Sequence, residues 1–398
     1  MSISVRQLTA ADREADLGLS IEAFGERPIG TPAPAEPAPY PPKGCVSFGA
    51  WQDDSLVAKV RCRDYESHLP DGRTIPTLGI AGVTVRAEER GIGLLSTLFD
   101  SAFARAREVG QPISTLYPTA PGIYRRFGYE LVGALTTLEF TSSQLANLRP
   151  PEGISLRRAT PADLDTLRAL YTSWASDLLG PLTRGGPSEP IFAESMFDDV
   201  TAVTIAEDAT GPVGCAWWKR GVSADPAVAV VEVFDLLAAS PDAARALWRM
   251  LASFSSVAGR VRVETSLPDP VMSVLPGETG KVVDEHRYML AILDVAAAFE
   301  ARATSGALSA TLPFQVSGGY ANGVDGSYQL GVSDGQIACS RIESGDGPTF
   351  TARGLAALYG GALRCAQLRR AGLLSGPSND DAAWDALCCT PTHIRDYF

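Results

Sequence analysis

The feature that most constrains the fold is a turn with two glycines, placed between an apolar strand and a long amphipathic helix. Residues 82–95 read GVTVRAEERGIGLL. The helix is indicated by apolar residues at three- and four-residue spacing, namely Leu95, Leu98, Phe99, Ala102, Ala106 and Val109. Glycines at a helix start let backbone N–H groups approach an anion, and the helix dipole favours negative charge there. The stretch therefore predicts a cradle suited to a pyrophosphate.

The strand that enters this turn changes phase along its length. Leu78 and Ile80 alternate in one phase, whereas Val83 and Val85 alternate in the opposite one. A one-residue slip at 81–82 is what a β-bulge produces. The sequence therefore predicts a bulged strand that leads into the cradle.

Downstream of the helix, residues 122–129 read GIYRRFGY and predict a short helix that ends in glycine. This segment resembles the I-Y-x-R-F-G-Y segment of the enhanced-intracellular-survival (Eis) acetyltransferases of actinobacteria. The glycine turn resembles the R/Q-x-x-G-x-G/A loop of the GNAT acetyltransferases, with Leu95 at a position where glycine or alanine is usual. GNAT domains splay two parallel strands at such a bulge and hold acetyl-CoA in the gap.

The resemblance implies acetyl-CoA as the acetyl donor and no metal. Backbone groups of the bulged strand would pair with the pantetheine arm, and amides of the turn would cradle the pyrophosphate, with added charge from Arg90. The implied cofactor-binding residues are Val83, Thr84, Val85, Arg90, Gly91, Ile92, Gly93, Leu94, Leu95 and Thr119.

A repeat of the N-terminal sequence begins near residue 150. Residues 154–163 match residues 3–12 at six of ten positions without gaps, which predicts a second GNAT-like domain. The counterpart of the glycine turn, residues 238–245, contains no glycine. The second copy is therefore predicted to bind no cofactor.

The C-terminal region has another pattern. Its A-L-Y-G-G element at 357–361 resembles the sterol-carrier-like domain that ends the Eis chains. The predicted fold class is α/β with mixed sheets: a catalytic GNAT domain over residues 1–145, a second GNAT-like domain over 146–290, and a sterol-carrier-like α+β domain over 291–398.

Acetyl transfer to an amine requires a base for the amine, donors for the carbonyl oxygen and a proton for the departing thiolate. None of the histidines (His68, His286 and His393) lies in a motif. The resemblance to Eis implies Tyr124 as general acid and the terminal carboxylate of Phe398 as general base. Spacing alone favours a core tyrosine at position 124, and a carboxylate with an ordinary pKa of about 3.5 is a weak base unless burial raises that pKa.

The acceptor is the least constrained element of the sequence. Glu22, Phe24 and Glu26 flank a proline-rich stretch, residues 25–44, and with Tyr397 they are candidates for an acidic, aromatic pocket. Solvated charges at a helix end are the competing interpretation. Eis enzymes acetylate aminoglycosides and other polyamines, so the resemblance implies a cationic small amine. The sequence is also compatible with a lysine side chain or protein N-terminus as acceptor, and with a non-enzymatic lipid-binding role.

Composition narrows the context. The net charge of −12 disfavours a nucleic-acid partner, and no apolar run reaches membrane-spanning length. The seven cysteines have no metal-binding spacing, and the first ten residues lack a signal-peptide core, which together predict a cytoplasmic protein. The resemblance to Eis implies a homohexamer, a trimer of dimers.

Overall fold

The structure is a computed structural model that describes residues 3–25, 39–145, 147–188, 196–223, 225–277, 280–302, 304 and 307–398. Glu26, one of the predicted substrate-binding residues, lies outside the described residues together with positions 27–38 of the proline-rich stretch. Within the described residues, no helix is both long and apolar enough to cross a membrane.

The first half of the chain, residues 3–145, alternates strands and helices. Its strands are β1 (Ile3–Gln7), β2 (Cys45–Gln52), β3 (Ser55–His68), β4 (Thr74–Val85), β5 (Ile113–Leu116) and β6 (Glu130–Thr141). Its helices are α1 (Arg13–Phe24), α2 (Leu94–Glu108), α3 (Pro121–Arg125) and α4 (Ser142–Leu145). β3 extends to His68 because it pairs with β4 as far as Thr74.

The second half, residues 147–292, repeats the order of the six strands and of the two long helices. Its strands are β7 (Ser155–Arg158), β8 (Ala202–Asp208), β9 (Gly211–Arg220), β10 (Val230–Ala238), β11 (Arg260–Thr265) and β12 (Lys281–Ile292). Its helices are α5 (Leu164–Ala175), α6 (Met196–Asp199) and α7 (Pro241–Ala252). The two copies also share a local ion pair: Arg6 with Asp12 at 2.7 Å, and Arg157 with Asp163 at 2.8 Å. The internal repeat is thus a repeat of structure.

The two halves share one twelve-stranded sheet, in the order β1-β2-β3-β4-β5-β12-β6-β11-β10-β9-β8-β7. The last strand of each half pairs with a strand of the other half. β12 of the second half pairs with β5 of the first, and β6 of the first half pairs with β11 of the second. At the centre, β6 and β12 pair with each other. Because the exchanged strands fill the middle of the sheet, neither half completes its own sheet alone.

The C-terminal part, residues 293–398, packs beside α2 and against β6 and β12. Its helices are α8 (Val295–Glu300), α9 (Ala352–Tyr359), α10 (Cys365–Arg370) and α11 (Asp381–Leu387). Its strands β13 (Ala310–Ser317), β14 (Gly326–Ser333), β15 (Gln336–Ile342), β16 (Thr349–Thr351) and β17 (Leu374–Ser375) form a separate sheet in the order β15-β14-β13-β16-β17. Buried rings of Phe299, Phe314, Phe350 and Trp384 contact one another at its centre. The Tyr320 hydroxyl donates to the Ser96 carbonyl of α2 at 3.0 Å, which ties this part to the first half.

Candidate active site

The predicted bulge is present in β4. Arg61 of β3 stands opposite Ala81, whereas Lys59 stands opposite Thr84, so two residues of β4 face a single residue of β3. One of the two is Gly82, whose φ of 54° suits glycine. The phase change seen in the sequence is therefore confirmed as a bulge.

Beyond the bulge, β4 separates from its parallel neighbour. The two strands pair only from Thr77 opposite Ile113 to Ile80 opposite Leu116. β4 then continues to Val85, while β5 has already ended. Val83, Thr84 and Val85, which lie past the last pair, line an open cleft on this side.

The glycine turn forms the other wall of this cleft. Gly91 has a φ of 85° and Gly93 a φ of 91°, conformations that cost a side-chain-bearing residue about 1–2 kcal/mol each. Open space lies beside both glycines, and α2 begins directly after Gly93 at Leu94. The turn therefore presents its backbone to the cleft, next to the positive end of the helix dipole.

These elements enclose a cleft of about 730 Å³. It is lined by Ala23, Phe24, Val83, Thr84, Val85, Glu89, Arg90, Gly91, Gly93, Leu94, Leu95, Thr119, Gly122, Ile123, Tyr124 and Arg126. Among the predicted cofactor-binding residues, all of which the structure describes, Ile92 alone is missing from this lining, because its side chain points to solvent with 59% exposed. Nine of the ten residues that the sequence predicted to bind the cofactor therefore line the same cleft.

Tyr124 lies on α3, with its ring packed against Phe99 and Tyr129. Its side chain is buried, yet it reaches the cleft. Burial raises the pKa of Tyr124 to about 12, so its hydroxyl keeps its proton at neutral pH. The position and protonation state both suit a proton donor.

The chain end crosses the second half to reach the first. The His393 amide donates to the Leu179 carbonyl at 2.8 Å, and the Tyr117 hydroxyl donates to the Asp396 carbonyl at 2.8 Å. Tyr117 directly follows β5, so the chain end meets the first half where β4 and β5 separate.

The ring of Phe398 lies in an aromatic cage. Its centroid is 4.9 Å from that of Tyr65, 5.5 Å from Tyr117 and 6.3 Å from Tyr288. The close approach to β4 occurs at Gly79, where a Cβ would stand 3.2 Å from the Phe398 ring and even nearer to Tyr65. The cage thus holds the Phe398 ring against the same strand that carries Val83 and Val85.

The predicted substrate-binding residues are divided between two places. Phe24 lines the cleft at its entrance with 60% of its surface exposed. Glu22 accepts a hydrogen bond from the Ala87 amide at 3.3 Å, so it braces the loop before the glycine turn. Tyr397 instead lines a second cleft of about 350 Å³, together with Tyr117, Pro118, Thr119, Pro121, Glu285, His286 and Arg287. Thr119 borders both clefts, which are therefore neighbours.

Two of the three histidines are structural. His68 and His393 are buried and lie edge-on to Tyr171 and Trp174 respectively, and neither lines the cleft. Burial lowers the pKa of both, that of His393 to about 4. Each stays neutral at pH 7 within a packed interface. His286 lines the second cleft, which its position in the sequence did not indicate.

Sequence reasoning missed several residues around the two clefts. Arg126 lines the larger one, whereas the adjacent Arg125 is held by Glu130 at 2.9 Å. The RR pair in the GIYRRFGY segment was the available signal, but nothing local tells which arginine faces the cleft. Tyr65 and Tyr117 carry no motif, and only the fold brings them to Phe398.

The second half lacks an equivalent of the glycine turn at the start of α7, a stretch that the structure describes throughout. The helix starts with Pro241, and the Ser240 side chain accepts a hydrogen bond from the Ala243 amide at 3.1 Å. That amide is one of the free N–H groups that an anion would need. A side chain of the chain itself therefore occupies the helix start in this copy.

Comparison with known protein families gives the same division of the chain. A model described as an acetyltransferase (GNAT) domain matches residues 4–132, a second model of that description matches residues 188–292, and a sterol carrier protein domain model matches residues 295–393. The chain is an N-acetyltransferase of the GNAT superfamily, with tandem GNAT domains followed by a sterol-carrier-like domain. Enzymes of this superfamily use acetyl-CoA.

Individual relatives refine this assignment. The chain is 26% identical to an N-acetyltransferase of Streptomyces coelicolor described as uncharacterized, over 94% of this chain and 93% of that protein. It is also 26% identical to the N-acetyltransferase Eis of Mycobacterium tuberculosis, over 83% and 82% of the two chains. A crystal structure of a GCN5-related N-acetyltransferase from Kribbella flavida, 29% identical, superposes with a TM-score of 0.82 over 100% of this chain and 98% of that one. The chain is thus similar to the Eis type of GNAT acetyltransferases over most of its length.

Proposed function

We propose that this enzyme transfers the acetyl group of acetyl-CoA to a primary amine of a cationic small molecule, such as an aminoglycoside or polyamine. The observation that carries the proposal is the large cleft, which places the glycine turn, the free edge of β4 and Tyr124 around one space. The chain end lies against the same strand a few residues away.

The cleft residues fit acetyl-CoA. The amides at the start of α2 and the guanidinium groups of Arg90 and Arg126 supply donors and positive charge for the pyrophosphate. The backbone of Val83 and Val85, beyond the last pair with β5, offers hydrogen bonds to the pantetheine amides. When bound, acetyl-CoA supplies the thioester that is cleaved.

In the proposed reaction, the amine nitrogen bonds to the acetyl carbon and the carbon–sulfur bond breaks. The α-carboxylate of Phe398 takes the proton that the amine must lose. Tyr124 gives its proton to the departing sulfur. The buried hydroxyl of Tyr124 suits this role because its raised pKa keeps it protonated until the sulfur needs a donor.

We assign the acceptor to the second, smaller cleft. The Tyr397 ring lies 4.6 Å from that of Tyr117 and 4.7 Å from that of His286, so aromatic faces surround this space. A protonated amine is attracted to such faces, and Glu285 adds a carboxylate, which also pairs with Arg287 at 3.2 Å. Thr119, which borders both clefts, marks where acceptor and donor would meet.

The packing of the C-terminal part supports a structural role rather than lipid binding. Its centre is filled by the rings of Phe299, Phe314, Phe350 and Trp384 in mutual contact. Its α9 contributes Arg353, which pairs with Glu130 next to the Tyr124 segment. The C-terminal part thus supports the half of the chain that carries the large cleft.

The proposal is tested by thiol release from acetyl-CoA across a panel of aminoglycosides, polyamines and lysine peptides. We expect turnover with polycationic small amines and much slower turnover with lysine peptides. Equal or faster turnover of peptides would indicate that the acceptor is a protein lysine or N-terminus and not a small cationic amine. No turnover with any amine, in an enzyme that acetyl-CoA stabilises against heat, would refute the acceptor class.

Replacing Arg90 by alanine is expected to raise the KM for acetyl-CoA about fivefold, the effect of losing roughly 1 kcal/mol from an exposed charge pair. We expect kcat to change little, because Arg90 contacts the phosphate end of the donor and not the reacting atoms. Arg107→Ala, in the last turn of α2 and away from the glycine turn, is the matched control. An unchanged KM in Arg90→Ala would contradict the placement of the pyrophosphate.

A further inference from the structure

The second half has a splayed pair of strands of its own. β10 and β11 pair in parallel from Val230 to Val233 of β10, which then bulges against β9 and continues to Ala238. In the first half, a bulge and a parting of β4 from β5 open the cofactor cleft. The second half therefore has a gap between strands at the equivalent position.

The side chain of Arg395 lies in this gap. Its Nη1 donates to the Glu264 carbonyl of β11 at 3.0 Å, and its Nη2 donates to the Leu236 carbonyl of β10 at 3.2 Å. Leu236 is three residues beyond the last parallel pair and Glu264 is one residue beyond it. The same offsets in the first half give Val83, which lines the cofactor cleft, and Tyr117, which lines the neighbouring second cleft.

Charged side chains of the second half form ion pairs with charged side chains of the chain end. The Arg395 side chain has no exposed surface, and it pairs with Asp269, which is also fully enclosed. Next along the chain, Asp396 pairs with Arg184 at 2.9 Å, and Arg184 pairs with Asp235 at 2.6 Å. Buried charges are tolerated only when they are paired, so removing the chain end would leave the buried carboxylate of Asp269 without its cationic partner.

We propose that the second GNAT half is the docking site for the chain's own C-terminal segment, residues 392–398, and that Arg395 and Asp396 are positioning residues for the terminal carboxylate. The copy that lost its cofactor cradle holds a peptide between its splayed strands instead. This inference rests on the proposed role of Phe398.

The docked segment has little freedom at its end. The side-chain carboxylate of Asp396 pairs with Arg184 and accepts a hydrogen bond from the Tyr171 hydroxyl at 3.0 Å. The backbone carbonyl of Asp396 accepts a hydrogen bond from the hydroxyl of Tyr117 in the first half. Two residues remain, which reach at most about 7 Å. The anchor in the second half therefore restricts where the carboxylate of Phe398 can lie.

The test measures docking and catalysis separately in full-length variants. Arg395→Met removes the donors to both strands while keeping an apolar stem, and Asp396→Asn keeps the shape and removes the charge. Docking is measured as the rate at which carboxypeptidase A releases Phe398 and Tyr397, followed by mass spectrometry. Catalysis is measured as kcat and as the KM for acetyl-CoA.

We expect both variants to lose the chain end at least about tenfold faster than the wild type, since opening of the docked segment becomes easier. We expect kcat to fall by a similar factor while the KM for acetyl-CoA stays unchanged. The control Arg369→Met breaks an ion pair with Asp381 inside the C-terminal part and is expected to alter neither rate.

A folded variant whose chain end is as protected as that of the wild type would overturn the docking site. If Arg395→Met fails to fold, the milder Asp396→Asn decides the same question. Faster release with unchanged kcat would uphold the docking site and overturn the positioning role of Arg395 and Asp396, whereas the catalytic role of Phe398 itself is tested separately by extending the chain end. Loss of kcat with full protection would overturn the link between docking and catalysis.

Discussion

Tyr124→Phe is expected to lower kcat by about 100-fold or more, the usual contribution of a positioned proton donor. The substitution keeps the ring in its packing against Phe99 and Tyr129 and removes only the hydroxyl. The KM for acetyl-CoA should therefore change little. Steady-state thiol release with a saturating amine measures both quantities.

Tyr129→Phe is the matched control. Its hydroxyl bonds to the Ser114 hydroxyl at 2.5 Å in the same ring cluster, and Tyr129 does not line the cleft. We expect this variant to lose stability, about 1 kcal/mol for one hydrogen bond, with kcat preserved. Similar kcat values for the two variants would contradict the role of Tyr124.

The pH dependence offers a separate check on Tyr124. An acid acts only while protonated, so its contribution is lost as pH rises through its pKa. Because burial raises the pKa of Tyr124 to about 12, this loss is expected near pH 12 and not near the ordinary value of 10.

Adding two glycines after Phe398 is expected to lower kcat by about 100-fold, because the extension converts the proposed base into a neutral amide. The Phe398 ring can keep its contacts with Tyr65 and Tyr117 in this variant. Initial rates at saturating acetyl-CoA and amine give the comparison, and thermal unfolding shows whether the fold is retained.

Phe398→Leu is the reciprocal variant, since it keeps the carboxylate and removes the aromatic contacts. We expect a smaller effect, within about tenfold, from a carboxylate that is held less firmly. Full activity in the extended enzyme, or a larger loss in Phe398→Leu than in the extension, would refute the carboxylate as the base.

Local patterns in the sequence identified the cofactor side of the site. The phase change before Val83 became a bulge, and the two glycines became the turn before α2, because such signals depend on neighbouring residues alone. Tyr124 has a motif around it, yet its catalytic interpretation came from resemblance, since its burial equally suits a core residue.

The sequence did not indicate which strands and side chains that are distant along the chain pair with each other. Nothing in β6 or β12 indicates that each pairs with the other half, because strand partners are set by topology and not by the strand's own alternation. The same holds for the chain end: Arg395 and Asp396 are single charges whose partners lie more than a hundred residues away. The proposed acceptor cleft consists largely of such residues.

The central claim is that one of the two GNAT halves carries the cofactor site, and calorimetric titration with acetyl-CoA tests it most directly. We expect one acetyl-CoA per chain, with much weaker binding in Gly93→Val, because valine is strained at a φ of 91° and distorts the turn. Two acetyl-CoA molecules per chain, or unchanged binding in a folded Gly93→Val variant, would contradict the account.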